Sequence, residues 1–286
     1  MSKRQHERYA LNQSPLFRIR GKGQFASVIG IGWESVPNLI ASNGYRVWIN
    51  GKGREIQQPI GKLESIHRRI GDLLARIELP DYLYSKRGRS YADNARQHVG
   101  DIPLVKTDIH KFYPSTTWLM VRRMFIEDFE CADDVARCLA DICCYRQEHL
   151  PTGSSISGRI AFFAARQMFD SVAKTAMKQG CRMTTYVDDI TVSGERASKS
   201  LLDEIRKIIH RHGLKTKHKK SFSFSATAAK PVTGTVIKGE ELRLPNERHK
   251  KIHDTRRQFE KATPSEREPI QRALQGRIQE AKQVVG

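Results

Sequence analysis

The chain has 286 residues, of which 38% are hydrophobic, and this supplies enough apolar surface for a core and excludes a wholly disordered chain. No apolar run approaches the ~18 to 20 residues of a membrane-spanning helix, and no apolar segment follows the charged N-terminus, so we expect a cytoplasmic protein without a membrane partner. Five cysteines form no metal-ligand pattern and favour reduced thiols over a disulfide scaffold. The net charge of +19 favours an anionic partner, and nucleic acid first.

The N-terminal third is expected to contain a basic arm, a hairpin and a helix. The first thirty residues carry six basic side chains against Glu7, namely Lys3, Arg4, Arg8, Arg18, Arg20 and Lys22, which indicates an arm that binds nucleic acid. Residues 45–60 alternate in character around Asn50-Gly51, a strong signal for a β-hairpin. Apolar residues then recur at helical spacing from Ile60 to Leu74, which predicts an amphipathic helix.

The rest of the chain alternates strand and helix patterns, which predicts an α+β fold. In chain order we expect a strand over 102–109 that ends near Asp108, a helix over 118–129, a turn over 153–157, one long helix through residues 160–172, a hairpin over 184–191, a helix from Leu201 that stops at Gly213, and two tail helices over 247–261 and 265–282, separated at Pro264.

Two adjacent carboxylates, in Tyr186-Val187-Asp188-Asp189, are the sharpest chemical feature of the sequence. Neighbouring residues of a strand point to opposite faces, so only a tight turn lets both aspartates approach one cation. Asp108 ends another predicted strand about eighty residues earlier. Carboxylates from separate strands suit Mg²⁺, and two such ions can assist phosphoryl transfer. The alternative is a solvated Asp-Asp turn, which the basic chain and Asp108 disfavour.

With these residues in place, the sequence resembles a reverse transcriptase of the bacterial retron type. Tyr186-Val187-Asp188-Asp189 is similar to the Tyr-x-Asp-Asp signature, and residues 107–115, which read Thr-Asp-Ile-His-Lys-Phe-Tyr-Pro-Ser, are similar to the first aspartate motif. Two retron-type elements are narrower matches: Asn94-Ala95-Arg96-Gln97-His98 resembles Asn-Ala-x-x-His, and Val232-Thr233-Gly234 resembles Val-Thr-Gly. The resemblance runs from about Arg46 to Leu244.

The resemblance implies a set of catalytic roles. Asp108 and Asp188 would be the main ligands of two Mg²⁺ ions, with Mn²⁺ as an alternative ion, and Asp189 a weaker ligand helped by the Ile109 carbonyl. Tyr113 would close the pocket against a ribose 2′-hydroxyl and so select deoxynucleotides. Without Asp108 nearby, Tyr113 would read as an ordinary core aromatic.

The resemblance also implies contacts to the incoming dNTP. Thr152 and Gly153 belong to a segment that packs on nucleotide and template, where glycine lets the backbone approach a base. This segment departs from the family, because Thr152 replaces the common Gln, and residues 156–158, which read Ile-Ser-Gly, replace the Ser-Pro ending. A helix N-terminus capped by Ser154 or Ser155 is a compatible structural reading. Lys52 and Arg54 would hold the triphosphate.

A lysine beside the leaving pyrophosphate is the remaining nucleotide contact that the resemblance implies. Lys219 and Lys220 both fit it, and the sequence leaves the choice between them open. RNA binding is assigned to the two retron-type elements, through Asn94, His98, Val232, Thr233 and Gly234, and to the tail through Lys250 and Arg256. Mixed charge on the tail favours shape-dependent contact with an RNA duplex.

The implied architecture is a right-hand polymerase fold, with arm and fingers over 1–100, palm over 101–240 and a helical thumb over 241–286. The implied partners are a structured non-coding RNA that is both template and primer, its branched DNA product, dNTPs and an effector protein encoded nearby, in defence against phage. Synthesis would start from a guanosine 2′-hydroxyl.

Other functions remain open at this point. A non-catalytic RNA-binding protein is disfavoured by the three aspartates, which repel one another without cations. An RNA-templated RNA polymerase also uses paired aspartates, but Tyr113 favours DNA synthesis. A group II intron enzyme would carry maturase sequence after the thumb, whereas some forty residues follow Leu244, so a retron enzyme or another defence-associated reverse transcriptase fits better.

Overall fold

The computed structural model describes residues 8–41 and 44–285. Its α-helices are α1 (Lys22–Ile29), α2 (Val36–Ala41), α3 (Gly61–Ala75), α4 (Tyr91–Arg96), α5 (Phe112–Ser115), α6 (Trp118–Glu127), α7 (Asp133–Cys143), α8 (Ser157–Ala164), α9 (Arg166–Lys178), α10 (Lys199–Arg211), α11 (Asn246–Lys261) and α12 (Pro264–Val285). Its strands are β1 (Tyr45–Ile49), β2 (Glu55–Pro59), β3 (Leu104–Asp108), β4 (Arg182–Tyr186), β5 (Asp189–Ser193), β6 (Phe222–Phe224), β7 (Lys230–Val232), β8 (Thr235–Lys238) and β9 (Glu241–Arg243). Helices beside antiparallel sheets confirm the α+β prediction. Within the described ranges, no helix is long and apolar enough to cross a membrane.

The chain forms two compact units. The first comprises residues up to Pro80 with Ile109–Asp170 and Arg211–Leu214, and the second comprises Asp81–Asp108, Ser171–His210 and the chain from Lys215 onward. The division falls inside α9. The predicted domain boundaries at residues 100 and 240 stay predictions.

The N-terminal part of the first unit is packed against its core rather than extended as an arm. Leu16, Ile19 and Phe25 are fully buried, and Arg18 donates its backbone N–H to the Phe129 carbonyl at 2.8 Å. Residues 8–30 are therefore not a free arm, because burial of their apolar side chains is favourable. The basic side chains Arg8, Arg18, Arg20 and Lys22 are exposed, and their contact with nucleic acid stays a prediction. Lys3, Arg4 and Glu7 lie outside the described residues.

The predicted hairpin of the first unit is confirmed, with a longer loop than Asn50-Gly51 suggests. The strands pair from Tyr45↔Pro59 to Ile49↔Glu55, which leaves residues 50–54 as the loop. The Asn50 side-chain oxygen accepts the backbone N–H groups of Lys52 and Arg54 at 2.9 and 3.0 Å. Within this loop, Gly53 has a left-handed backbone conformation, with φ of 69°. The asparagine therefore organises the loop from its base, as short polar side chains do in turns.

The predicted long helix after residue 157 is two helices. Ala165 separates α8 from α9 with φ of −107° and ψ of 11°, and its N–H bonds back to the Ala161 carbonyl. The expected serine cap is also wrong, since Ile156 occupies the cap position without a side-chain bond. Ser154 instead lies against the buried His67 ring nitrogen at 2.7 Å.

The second unit is built on a four-stranded antiparallel sheet in the order β4-β5-β3-β6. β3 and β5 are buried along nearly their whole length, as expected for central strands. Their register places Leu104 opposite Ser193 and Asp108 opposite Asp189. The sheet therefore fixes which carboxylates meet at its end.

A three-stranded sheet, β7-β8-β9, and the tail helices complete the second unit. Their shared core contains buried residues from α4, β3, these strands, the segment after β9 and the end of α12, namely Ala92, Ala95, Leu104, Val232, Ile237, Leu242, Leu244 and Val284. Pro264 begins α12, and the Glu266 carboxylate accepts the Thr263 N–H at 3.1 Å, which satisfies a free donor at the helix start. The two tail helices predicted from sequence are confirmed.

Candidate active site

Three aspartates lie at one end of the four-stranded sheet. Asp108 is the last residue of β3 and is paired with Asp189, the first residue of β5. Asp188 occupies the two-residue connection between β4 and β5, which the Tyr186↔Asp189 pair closes. The predicted hairpin around Asp188 and Asp189 is confirmed. Directly opposed like charges destabilise a sheet unless a cation compensates them.

The connection between β4 and β5 is strained. Val187 has φ of 61°, a conformation that a β-branched residue rarely adopts. Its N–H donates to the Ser85 hydroxyl at 3.2 Å. The residue before Ser85 is bonded to β4, since the Tyr84 N–H donates to the Thr185 carbonyl at 2.9 Å. These bonds support a turn whose backbone would otherwise be unfavourable, as is common at functional sites.

The aspartates lie in an environment that disfavours their ionised forms. Partial removal from water, and then the neighbouring charge of Asp108, raise the pKa of Asp188 to about 6. Burial also raises the pKa of Asp189, and the nearby Lys106 ammonium partly offsets that rise. The Oδ1 atom of Asp189 is buried without a hydrogen-bond partner among the described residues. An additional positive charge at the site would therefore stabilise the ionised aspartates.

Two lysines supply part of that charge. Lys220 donates to Asp108 Oδ2; burial would lower the pKa of Lys220, but this bond and the aspartate charges raise it overall. Both Lys219 and Lys220 are exposed, but Lys220 is the one bonded to Asp108, and the predicted contact of either lysine with the pyrophosphate stays a prediction. Lys106 Nζ lies 3.7 Å from Asp189 Oδ2 and donates to the Pro231 carbonyl at 2.9 Å. Sequence reasoning missed Lys106, although its position two residues before Asp108 places both on one face of β3.

The carboxylate oxygens of the site are ligands that suit a hard divalent cation. Among the described residues, no three His, Cys, Asp or Glu side chains are grouped so that they could hold a metal ion by themselves. Mg²⁺ needs only one or two protein carboxylates when substrate phosphates complete its shell. Asp108 and Asp188, near enough for the charge of one to raise the pKa of the other, offer such a pair. Ile109 follows directly, with its side chain fully buried, and its predicted role as a carbonyl ligand stays a prediction.

Thr152 and Gly153 are held in the first unit by β2. The Thr152 N–H donates to Gln57 Oε1 at 2.8 Å, and the Gly153 N–H donates to the Gln57 carbonyl at 3.2 Å. A Cβ on Gly153 would lie 2.8 Å from that carbonyl oxygen. The glycine therefore lets the loop approach β2, which gives it a reason different from the predicted approach to a base.

Tyr113 lies in α5, and its ring stacks on Phe112 with centroids 6.1 Å apart. A Cβ on Gly158 would come within 3.3 Å of the Tyr113 hydroxyl. A Cβ on Gly71 would likewise lie 2.9 Å from Ile156 Cγ2. Ile156 and Gly158, which depart from the family pattern, therefore have partners within the same unit. Ile156 occupies the space beside Gly71, and Gly158 leaves room for the Tyr113 hydroxyl.

Lys52 and Arg54 are exposed in the loop between β1 and β2. Lys250 and Arg256 are exposed on α11. Their positions leave all four cations available to phosphate, and the contacts predicted for them stay predictions.

In the two retron-type elements, the side chains of Asn94, His98 and Val232 are buried, against the expectation that they contact RNA directly, whereas Thr233 is half-buried and Gly234 is exposed, and the RNA contacts predicted for these two stay predictions. His98 is 0% exposed, and its ring nitrogens lie 2.7 Å from the hydroxyls of Ser193 and Thr184. Asn94 and Val232 are also 0% exposed. Burial in the protein leaves these three side chains no direct path to RNA.

Thr233 and Gly234 form the turn between β7 and β8, with φ of 43° and 86°. Positive φ at both central residues is the usual geometry of a two-residue hairpin. Asn94 Nδ2 lies 3.5 Å from Thr233 Oγ1, so the two retron-type elements meet inside the protein.

Comparison with known proteins gives the family. A family model described as reverse transcriptase (RNA-dependent DNA polymerase) matches residues 37–258. The Retron Ec86 reverse transcriptase of Escherichia coli is 28% identical over 220 residues, which cover 73% of this chain and 68% of that protein. The Retron Se72 reverse transcriptase of Salmonella heidelberg (strain 579083-10) is 28% identical over 181 residues, covering 62% of this chain and 47% of that protein.

A solved structure supports the same fold. Apo telomerase from Candida tropicalis, truncated from its C-terminal domain, aligns with a TM-score of 0.51 at 12% identity and covers 70% of this chain and 54% of that one. The chain therefore spans about half the length of the Se72 relative and of this telomerase. Its α+β architecture is that of a polymerase. The chain belongs to the reverse transcriptase family, whose enzymes are RNA-directed DNA polymerases, and its curated relatives group it with the retron type.

Proposed function

We propose that this chain is the reverse transcriptase of a retron, which copies a structured non-coding RNA into single-stranded DNA that stays joined to that RNA by a branch. The observation that carries the proposal is the convergence of Asp108, Asp188 and Asp189 at the end of one sheet, beside Lys220. The names of the relatives describe retron reverse transcriptases, and the strongly basic chain suits an RNA partner.

Asp108 and Asp188 would hold two Mg²⁺ ions together with the phosphates of the dNTP, with Asp189 and the Ile109 carbonyl as weaker ligands. Bound there, the ions would lower the pKa of the attacking hydroxyl and neutralise charge on the leaving pyrophosphate. Lys220, already beside Asp108, would turn its ammonium toward that pyrophosphate as negative charge develops. Lys106, whose ammonium lies 3.7 Å from Asp189, would favour the ionised form of that carboxylate.

Selection of the substrate is assigned to residues of the first unit. Lys52 and Arg54 would bind the triphosphate from the exposed hairpin loop, because charge-assisted contacts to phosphate are strong. Tyr113 would exclude the ribose 2′-hydroxyl by steric conflict. Thr152 and Gly153, whose loop is bonded to β2, would pack on the incoming nucleotide and template.

The experiment is to purify the chain with its bound nucleic acid and to sequence that material before and after treatment with a 2′,5′-debranching enzyme. We expect one RNA species carrying a DNA strand that debranching releases. Asp108→Ala and Asp188→Ala should abolish DNA synthesis with Mg²⁺ and retain RNA binding, whereas Asp189→Ala should show a milder loss. Primer extension at the wild-type rate by the first two variants would overturn the metal assignment, and linear DNA only would overturn the branched product.

The proposal extends to the cell. The enzyme would work in the cytoplasm with an effector protein encoded nearby, in defence against phage. Deleting the gene should raise phage plating in a host that carries the whole locus, and Asp188→Ala should have the same effect. Equal plating on all three strains would overturn the defence role without affecting the polymerase assignment.

A further inference from the structure

Arg248, at the start of α11, connects three elements of the second unit. Its guanidinium lies over the Tyr91 ring at 5.2 Å from the centroid and donates to the Tyr91 hydroxyl at 3.0 Å. It also pairs with the Glu280 carboxylate of α12. The Tyr91 hydroxyl itself donates to Glu280 at 2.9 Å. A flat guanidinium can stack and pair in this way, whereas a lysine ammonium cannot reproduce both contacts.

The turn between β7 and β8 lies against the same arginine. Thr233 Oγ1 donates to the Tyr91 carbonyl at 2.8 Å. A Cβ on Gly234 would lie 2.8 Å from Arg248 Nη2. Glycine is therefore favoured at residue 234 for two reasons: its φ of 86° is unfavourable for other residues, and the guanidinium beside it leaves no room for a Cβ.

The end of the tail is attached to the same helix, α4. Arg96 donates to the Gln283 carbonyl at 2.7 Å, where the last carbonyls of α12 lack helical partners. Val284, 1% exposed, packs in one core cluster with Ala92 and Ala95. The retron-type elements at residues 94–98 and 232–234 thus surround the attachment point of the tail.

We propose that Arg248 is a positioning residue that holds the tail helices against α4 and the β7-β8 turn. The two retron-type elements form the buried contact surface, here called the joint, on which the tail helices are held. The joint sets where the tail meets the primer-template, so it deepens the proposed function and rests on it for its catalytic consequence. The competing view is that Arg248 and Gly234 contact RNA directly.

The structural test compares hydrogen exchange of residues 246–285 in three variants. Arg248→Ala and Tyr91→Phe should raise exchange in α11 and α12, the second by less because only a hydroxyl is lost. Arg256→Ala, on the exposed side of the same helix, is the matched control and should leave exchange unchanged. Tyr91→Phe keeps the ring and its packing, so the test stands even if Arg248→Ala folds poorly. Unchanged exchange in both joint variants would overturn the proposal.

The binding test uses the salt dependence of affinity for the copurified RNA. Loss of one phosphate contact should reduce the log-log salt slope by about one, which we expect for Arg256→Ala. Arg248→Ala should keep the wild-type slope and lower affinity by about tenfold, the effect of losing a charge-assisted bond. A reduced slope for Arg248→Ala would favour direct RNA contact and overturn the joint.

The kinetic test separates positioning from loss of folding. On a supplied primer-template, Arg248→Ala should raise the KM for primer-template by about tenfold with kcat and the dNTP KM near wild type, and Arg248→Lys should recover only part of it. A fall in kcat alone would overturn the positioning role. If the wild-type chain itself extends no primer, the proposed function fails, while the exchange measurements still decide the joint.

Discussion

Replacement of Gly153 by alanine is the sharpest test of the loop that the resemblance assigns to the nucleotide. The new Cβ would lie 2.8 Å from the Gln57 carbonyl oxygen and 2.9 Å from two further backbone atoms of β2. Those atoms belong to a strand paired with β1, so they cannot move without disturbing the hairpin. The loop must move instead, and its two bonds to Gln57 would weaken.

The magnitude follows from these contacts. Overpacking of this kind costs ~1 to 3 kcal/mol, and each weakened hydrogen bond adds ~0.5 to 1.5 kcal/mol. With both bonds affected, the total is ~2 to 6 kcal/mol. At ~1.7 °C per kcal/mol for a chain of this size, the midpoint of thermal unfolding should fall by about 3 to 10 °C. Gly51→Ala is the matched control, because no atom lies within 4 Å of its added Cβ, and its midpoint should stay within about 2 °C.

The assay is thermal unfolding of the purified variants by circular dichroism, combined with steady-state measurement of the dNTP KM. If Gly153 serves packing on β2, the midpoint falls and the KM for dNTP rises as the loop moves. An unchanged midpoint with a raised KM would refute this reasoning and return Gly153 to the role of a backbone that approaches a base.

Three further outcomes are expected. Burial lowers the pKa of His98 to about 3, so the unfolded chain takes up a proton near pH 6.5 that the folded chain refuses, and His98 alone should lower stability by about 1.4 kcal/mol per pH unit as the pH drops below 6.5. His67, whose pKa burial lowers to about 4, adds to the same slope. In urea titrations between pH 4 and 7, His98→Asn should reduce the slope of stability against pH by the His98 contribution, and a slope identical to that of the wild type would contradict the burial of a neutral ring. Tyr113→Ala should raise incorporation of ribonucleotides relative to deoxynucleotides at equal Mg²⁺ in single-turnover extension, whereas an unchanged ratio would make Tyr113 a core aromatic only. Lys106→Met should lower kcat at pH 7 by about tenfold and recover part of it at pH 8.5, because Asp189 loses the cation that favours its ionised form; equal losses at both pH values would separate Lys106 from the ionisation of Asp189.

Local patterns in the sequence determined most of the elements. Apolar spacing along residues 60–74 predicts α3, and the β-branched residues around Asp188 and Asp189 predict the β4-β5 hairpin, because both signals depend on neighbours a few positions apart. The aspartates were found for the same reason, since Asp188 and Asp189 are adjacent in a recognisable hairpin and Asp108 ends a recognisable strand. The break between α8 and α9 was missed, because alanine at residue 165 carries no stop signal.

Contacts between distant segments were decided only by the tertiary structure. The bond between Lys220 and Asp108 depends on where residues 217–220 lie beside β3, and the reason for Gly153 lies in β2, about a hundred residues earlier. His98 is a polar residue in a polar stretch, yet its ring is buried against two hydroxyl groups of the β4-β5 hairpin. Composition shows that a side chain can bind a partner, but strand register and helix packing determine whether that partner is RNA or the protein itself.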